Sequence, residues 1–355
     1  MLQNRIFTRW FFAVFIAGAI GFTGCKSTTT TPAAGSYILS YLVSDTAGYG
    51  NNVRIDGNLV NAWGIAVGPT GYFWIGANHS SLSTVYNGAG AETHTAVQIP
   101  SRTGITGGAP TGVIYNSTTG FKGSKFIFAG EDGTISTWVP DSSRAIRVAT
   151  STSATAVYKG IAMAADGANN YLYLTNFKEG KIDVYDNNFS AVPARTIMRP
   201  SSIPAAFSPF GISNINGKLY VSFAKNKPAP DNGDDESGAG NGYIVIFNPD
   251  GSVNKPFASG GTLNSPWGIV QAPDGFGGFK NDILIGNFGD GMINVYDANG
   301  GFLGQLKDNN GNVLTVDGLW AIIFTDTPGN DKNTLYFAAG PNGESHGLFG
   351  KIQFK

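Results

Sequence analysis

Apolar residues fall along this chain in short blocks bounded by Gly, Asn, Asp or Pro, and the blocks recur in one order. The first block of each set carries a small residue: NAWGIAV from Asn61, APTGVIY from Ala109, YKGIAM from Tyr158, SPFGIS from Ser208, SPWGIV from Ser265 and GLWAII from Gly318. The small residues Gly64, Gly112, Gly160, Gly211, Gly268 and Ala321 lie about fifty residues apart, the spacing of propeller blades. A second block follows each: FWIGAN from Phe73, FIFAGE from Phe126, LYLTNF from Leu172, LYVSFA from Leu219, ILIGNF from Ile283 and LYFAAG from Leu335. These blocks are continuously apolar and rich in aromatic and β-branched residues, which predicts strands covered on both faces. A third block ends in turn chemistry, as in Asn248-Pro-Asp-Gly and Asp297-Ala-Asn-Gly.

The pattern predicts an all-β, six-bladed β-propeller over residues 36–355. The sixth set reaches Lys355 straight after its third strand, so its outer edge needs a partner. YILSYLVSD from Tyr37 has strand character, and we expect it to complete the last blade and close the ring, since a bare edge invites aggregation.

Composition narrows the function. Fifty glycines, 12% aromatic and 13% charged residues suit many short strands joined by tight turns. The net charge is −1 and no run of Lys or Arg occurs, so the counterion-releasing surface of a nucleic-acid binder is missing. The one cysteine, Cys25, excludes an intrachain disulfide and instead closes a leader. Arg5 and Arg9 precede an apolar stretch from Trp10 to Phe22, which is shorter than the ~20 residues of a membrane span. This is the order of a secretory signal, 1–24.

The ending Phe22-Thr23-Gly24-Cys25 resembles the bacterial lipobox, with Phe22 where Leu is usual. The resemblance implies lipidation at Cys25, a polar tether over 25–35 and anchorage to a membrane. Without an acidic residue after the cysteine it points to the outer membrane of a diderm bacterium, on the periplasmic or surface face.

The opening Gly strand, the Pro273-Asp274-Gly275 turn, the Leu-Tyr-x-x-Asn-Phe-like strand and the Val-Tyr-Asp ending together resemble six-bladed NHL and SMP-30-like propellers. They are closer still to an uncharacterised family of secreted bacterial propellers. The resemblance covers nearly all of the chain after Tyr37 and implies a fold that hosts scaffolds, ligand binders, lactonases and other hydrolases.

In such a ring the turns between second and third strands surround one mouth of the central channel, with the residues leading into each blade. That places Asn78, His79, Glu131, Lys159, Asn176, Lys225, Asn287 and His346 as candidate binding residues. The longest of these turns, Lys225 to Gly242, carries Asp231, Asp234, Asp235 and Glu236 among glycines, hard oxygen donors that suit calcium. The plainer reading is a solvated acidic loop. The resemblance to SMP-30-like enzymes implies a divalent ion held by Glu131, Asn176 and Asn287, against which Asn at a strand end often caps its own turn. His79 and His346 are two of three histidines and fall in neighbouring blades, as an acid–base pair, as two metal ligands or by coincidence.

Gly343-Glu344-Ser345-His346-Gly347 matches G-x-S-x-G, but no helix pattern follows, so Ser345 lacks the strand-to-helix elbow. Trp63, Phe210, Trp267 and Trp320 precede the small residue of four blades and read as core wedges, or as stacking platforms for a sugar. At the same position Thr111 and Lys159 break the pattern, and Lys159 puts a charge near the axis. The expected function is a monomeric, lipid-anchored envelope propeller that binds a protein, peptide or glycan at its mouth without catalysis. The alternative is a calcium-dependent hydrolase or lactonase.

Overall fold

The computed structural model describes residues 36–140 and 142–355. The expected signal, Cys25 and the tether lie outside the described residues. What is described forms six sheets, five of four antiparallel strands and one of five, whose short edge strand Arg54–Ile55 pairs parallel to Tyr37–Ser44. Blades 1 to 5 each use four consecutive strands and open on Ala62–Val67, Pro110–Tyr115, Tyr158–Asp166, Phe207–Ile215 and Pro266–Gln271. Blade 6 has Leu319–Ile323, Leu335–Ala339 and Leu348–Phe354, and its fourth strand is Tyr37–Ser44 from the other end of the fold. The opening strands touch in sequence around the axis, the last against the first.

Side-chain alternation explains why the second strands are apolar throughout. In Phe126–Gly130, Phe126 and Phe128 face blade 1, while Ile127 and Ala129 face blade 3. Every interface between blades has such a core, and each second strand contributes to two of them.

The small-residue column has a steric cause. A methyl on Gly64 would lie 2.5 Å from the Thr111 carbonyl oxygen, and one on Gly211 would lie 2.0 Å from that of Trp267. Here the opening strand of one blade crosses the backbone of the next. The register of all six opening strands shifts at this position, forming a bulge in each. Bulges re-aim neighbouring side chains, and here the preceding residue turns in over the axis.

Closure follows the expected pairing. Tyr37 pairs with Phe354 and Ser44 with Leu348, with one irregularity between Tyr41 and Val43. Tyr37 is buried against Phe276 and Phe279, and its hydroxyl donates to the Phe276 carbonyl at 3.3 Å. Deleting residues 36–44 uncovers the Leu348–Phe354 edge and removes buried Tyr37 and Val43, worth about 3–6 kcal/mol together. A fall in Tm on the order of 10 °C is expected in a thermal melt; an unchanged Tm would show that the ring holds without this strand.

Candidate functional site

Because each opening strand starts on the same face as the turn between its second and third neighbours, one mouth collects both sets of residues. Its floor is aromatic. Trp63 stacks on Trp320 with centroids 3.7 Å apart, and Phe288 stacks on the other face of Trp320 at 3.8 Å. Trp267 meets Trp320 edge-on at 5.9 Å, and Phe210 lies 5.8 Å from it. Trp63, Trp320 and Phe210 are buried, while Trp267 is half-buried, so the wedge reading describes this column better than a stacking platform. Beyond the plug the channel continues as a cavity of about 370 Å³ ringed by Ile65, Val113, Ile161, Ile212, Ile269 and Ile322. Each of these follows a residue of the small column.

Lys159 breaks the aromatic column and organises the polar layer above it. It is only 3% exposed. Its Nζ donates to Glu131 Oε1 at 2.6 Å and Asp234 Oδ1 at 3.0 Å, and lies 5.1 Å from the centroid of the Trp63 ring. Its carbonyl accepts the Trp267 Nε1 hydrogen at 2.9 Å. Asn78 Nδ2 donates to the other oxygen of Glu131 at 3.1 Å and to the Pro110 carbonyl at 3.3 Å. Burial opposes the charge on Lys159, but Glu131 and Asp234 outweigh it and hold the ammonium above the usual lysine range. It is a fixed cation rather than a base.

A second arm of the mouth comes from blade 6. Asn61 Nδ2 donates to Glu344 Oε2 at 2.7 Å, while Asn61 Oδ1 accepts the Trp320 indole hydrogen at 3.0 Å. Burial pushes the Glu344 carboxyl up, partly offset by the nearby Lys159 charge. Glu344 ends a turn in which Asn342, Gly343 and Glu344 have φ of 56°, 59° and 67°. Three successive left-handed residues are costly for an L-chain at roughly 1–2 kcal/mol per non-glycine residue, and such strain collects at functional sites. Asn61, with φ 50°, shares it. Asp235 is buried beside this layer, and burial raises its carboxyl as well.

The other expected site residues separate. Asn176 Nδ2 binds Glu179 and Asp183, both at 2.9 Å, and Asn287 Nδ2 binds the Thr262 carbonyl at 2.8 Å and Asp290 at 3.0 Å. Both cap their own turns, and only Asn78 reaches across to the next blade. Lys225 pairs with Glu236 at 2.7 Å in a crevice between blades 3 and 4. His346 Nδ1 meets Asp45 Oδ2 at 2.9 Å, where it ties the closing strand to blade 6. His79 is exposed, and no hydrogen bond joins the two histidines among the described residues. Ser345 is bonded to Asn342 at 2.7 Å and precedes a strand rather than a helix.

The residues do not fit a calcium site. Of the four acidic loop residues, Asp234 goes to Lys159, Glu236 to Lys225, Asp235 is buried and Asp231 is exposed. Among the described residues no three His, Cys, Asp or Glu side chains gather as a metal would need. Where Glu131 and Asp234 converge, the Lys159 ammonium already stands as their cation.

Two mouth residues, Asn61 and Glu344, were visible only as members of loops. The sequence signal for Glu344 is the turn-forming Gly-Pro-Asn-Gly before it. Nothing local marks its partnership with Asn61.

The geometry is that of a six-bladed β-propeller with one plugged, polar mouth. The chain belongs to the family of the uncharacterized protein L690 of Acanthamoeba polyphaga mimivirus, to which it is 31% identical over 339 residues. The match covers 90% of this chain and 86% of that one. Protein R648 of the same virus is 31% identical over 330 residues, covering 88% and 79%. No family model matches the chain. Among solved structures, the virginiamycin B lyase of Staphylococcus aureus superposes with a TM-score of 0.56 at 14% identity, over 90% of this chain and 100% of the lyase. The soluble aldose sugar dehydrogenase of Escherichia coli gives 0.55 at 12%, over 90% and 100%. The gluconolactonase XC5397 of Xanthomonas campestris gives 0.51 at 12%, over 83% and 86%. At these identities the likeness is one of fold.

Proposed function

We propose that this protein is an exported propeller, anchored by a lipid on Cys25, that binds a protein, peptide or glycan at the Lys159 mouth without catalysing a reaction on it. The observation that carries this reading is the plugged mouth. Trp63, Trp320 and Phe210 close the channel beneath the polar layer, so an approaching partner meets a floor. Small-molecule sites usually enclose most of their ligand. A floor carrying fixed polar groups suits a protruding loop or chain end of a larger partner. Lys159, paired with Glu131 and Asp234, stiffens that floor, and Glu344, whose carboxyl is hydrogen-bonded only to Asn61 among the described residues, is the carboxyl free to recognise it.

The test is a screen of the full chain against peptide and glycan arrays, repeated with Glu344→Gln and with the remote Lys332→Gln. Ligands of the mouth should weaken at least tenfold with Glu344→Gln and be unaffected by Lys332→Gln. Equal binding by all three proteins would remove the mouth from consideration. The anchor is tested by labelling cells with radioactive palmitate: label should enter the wild type and be lost in Cys25→Ser.

A second reading, hydrolysis, draws on Glu344, whose burial-raised carboxyl near His79 has the character of a general acid or base. Turnover of glucono-1,5-lactone that is lost in Glu344→Gln would favour it over binding.

A further inference from the structure

Away from the mouth plug, a crevice of about 650 Å³ opens between blades 3 and 4, within the roughly 300–1,000 Å³ range of small-molecule sites. We propose that it binds a small polyanion carrying at least two carboxylate or phosphate groups. This site is independent of the mouth reading.

The argument is one of charge. Lys178 and Arg199 line the blade 3 wall, and Lys225 and Lys227 line the blade 4 wall. Two carboxylates share the lining, Glu179 and Glu236. Glu236 is spent on Lys225 at 2.7 Å.

Glu179 is spent elsewhere. It accepts from Thr155 Oγ1 at 2.8 Å, Asn176 Nδ2 at 2.9 Å and Lys181 Nζ at 2.9 Å, and also from the Ser153 hydroxyl. Burial works against its charge, but the donors from Ser153, Lys181 and Thr155 prevail and pull its carboxyl down to about 2. It therefore stays ionised and engaged with its own turn.

Lys178, Arg199 and Lys227 are left without an ion-pair partner among the described residues. Arg199 is oriented by donating to the Ile203 carbonyl, and the rest of its guanidinium fork has no carboxylate. Lys227 feels the buried Asp235 but forms no ion pair with it. In a chain of net charge −1, three uncompensated cations in one concavity are a local reversal of sign.

The remaining lining sets the size and kind of ligand. Ser208 Oγ donates to Asn226 Oδ1 at 2.8 Å, and Asn226 Nδ2 donates to the Asn232 carbonyl at 3.1 Å, giving a neutral polar floor. Met198, 63% exposed, supplies an apolar wall. Cations on both walls call for more than one anionic group on the ligand, with a compact neutral body between them. Arg199 suits a planar or tetrahedral oxyanion through paired N–H donors, while the lysines act as point charges.

The experiment is titration calorimetry of the full chain with citrate and with tripolyphosphate at moderate salt, and with trehalose as the neutral control. Saturable heat is expected with at least one anion and none with trehalose; which anion binds tells carboxylate from phosphate recognition. The double variant Lys178→Gln/Lys227→Gln should weaken binding tenfold or more. Lys122→Gln/Lys332→Gln, matched in net charge on other surfaces, should not. All four lysines are exposed and outside ion pairs, so both variants should melt with the wild type. No heat from either anion at millimolar concentration, or equal weakening by both double variants, would overturn the proposal.

Discussion

Gly211→Ala is expected to be the most damaging added methyl in the small-residue column. Its Cβ would sit 2.0 Å from the Trp267 carbonyl oxygen, 2.8 Å from that carbonyl carbon and 3.0 Å from the Trp267 Cα. All three are backbone atoms, so no rotamer change relieves the clash. Pushing Trp267 outward disturbs its indole, which packs edge-on against Trp320 and donates to the Lys159 carbonyl. Overpacking of a flexible core costs about 1–3 kcal/mol, and a rigid obstacle raises this to about 4 kcal/mol or more. The same substitution is graded around the ring. Gly64 would meet the Thr111 oxygen at 2.5 Å and Gly268 the Trp320 oxygen at 2.7 Å, whereas Gly160 meets its nearest atoms at 3.1 Å. Gly160→Ala should therefore cost only about 1 kcal/mol, within the small-to-large range. Blade 6 already carries Ala321 at this position. Urea midpoints across the series measure the order, and equal losses for Gly211→Ala and Gly160→Ala would refute the close-approach account.

The column was legible because its cause is local and repeated: six strands meet the same obstacle, and each answers with a small residue. Closure was legible for a related reason, since a blade short of one strand leaves an edge that Tyr37–Ser44 can satisfy. The polar layer resisted because its bonds join residues far apart. Lys159 and Asp234 are 75 positions apart, Asn61 and Glu344 283, and Asp45 and His346 301. Recurrence also misled. Asn78, Asn176 and Asn287 end equivalent strands, yet only Asn78 has a Glu131 on the next blade to reach. The acidic loop looks like one cluster along the chain, but two of its carboxylates go to separate cations, Asp234 to Lys159 and Glu236 to Lys225.

Lys159→Met should turn the centre of the mouth from two carboxylates bridged by a cation into two that repel each other. Methionine is close in volume, so little cavity results and the effect is electrostatic. Removing one partner of a fully buried pair costs about 3–5 kcal/mol. The Glu131 and Asp234 side chains keep 29% and 56% exposure, so water screens part of the loss and about 2–3 kcal/mol is expected. Adding Glu131→Gln should return part of it, because the remaining carboxylates then repel less, and the double-mutant cycle measures that coupling. Lys159→Arg should not substitute, since a planar fork cannot occupy the single point where Glu131 Oε1 and Asp234 Oδ1 converge. Calcium should leave the wild-type melt unchanged, because the ammonium already holds the point where the Glu131 and Asp234 oxygens converge. If Lys159→Met were as stable as the wild type, or calcium raised the wild-type Tm, the resident-cation account of this mouth would fail.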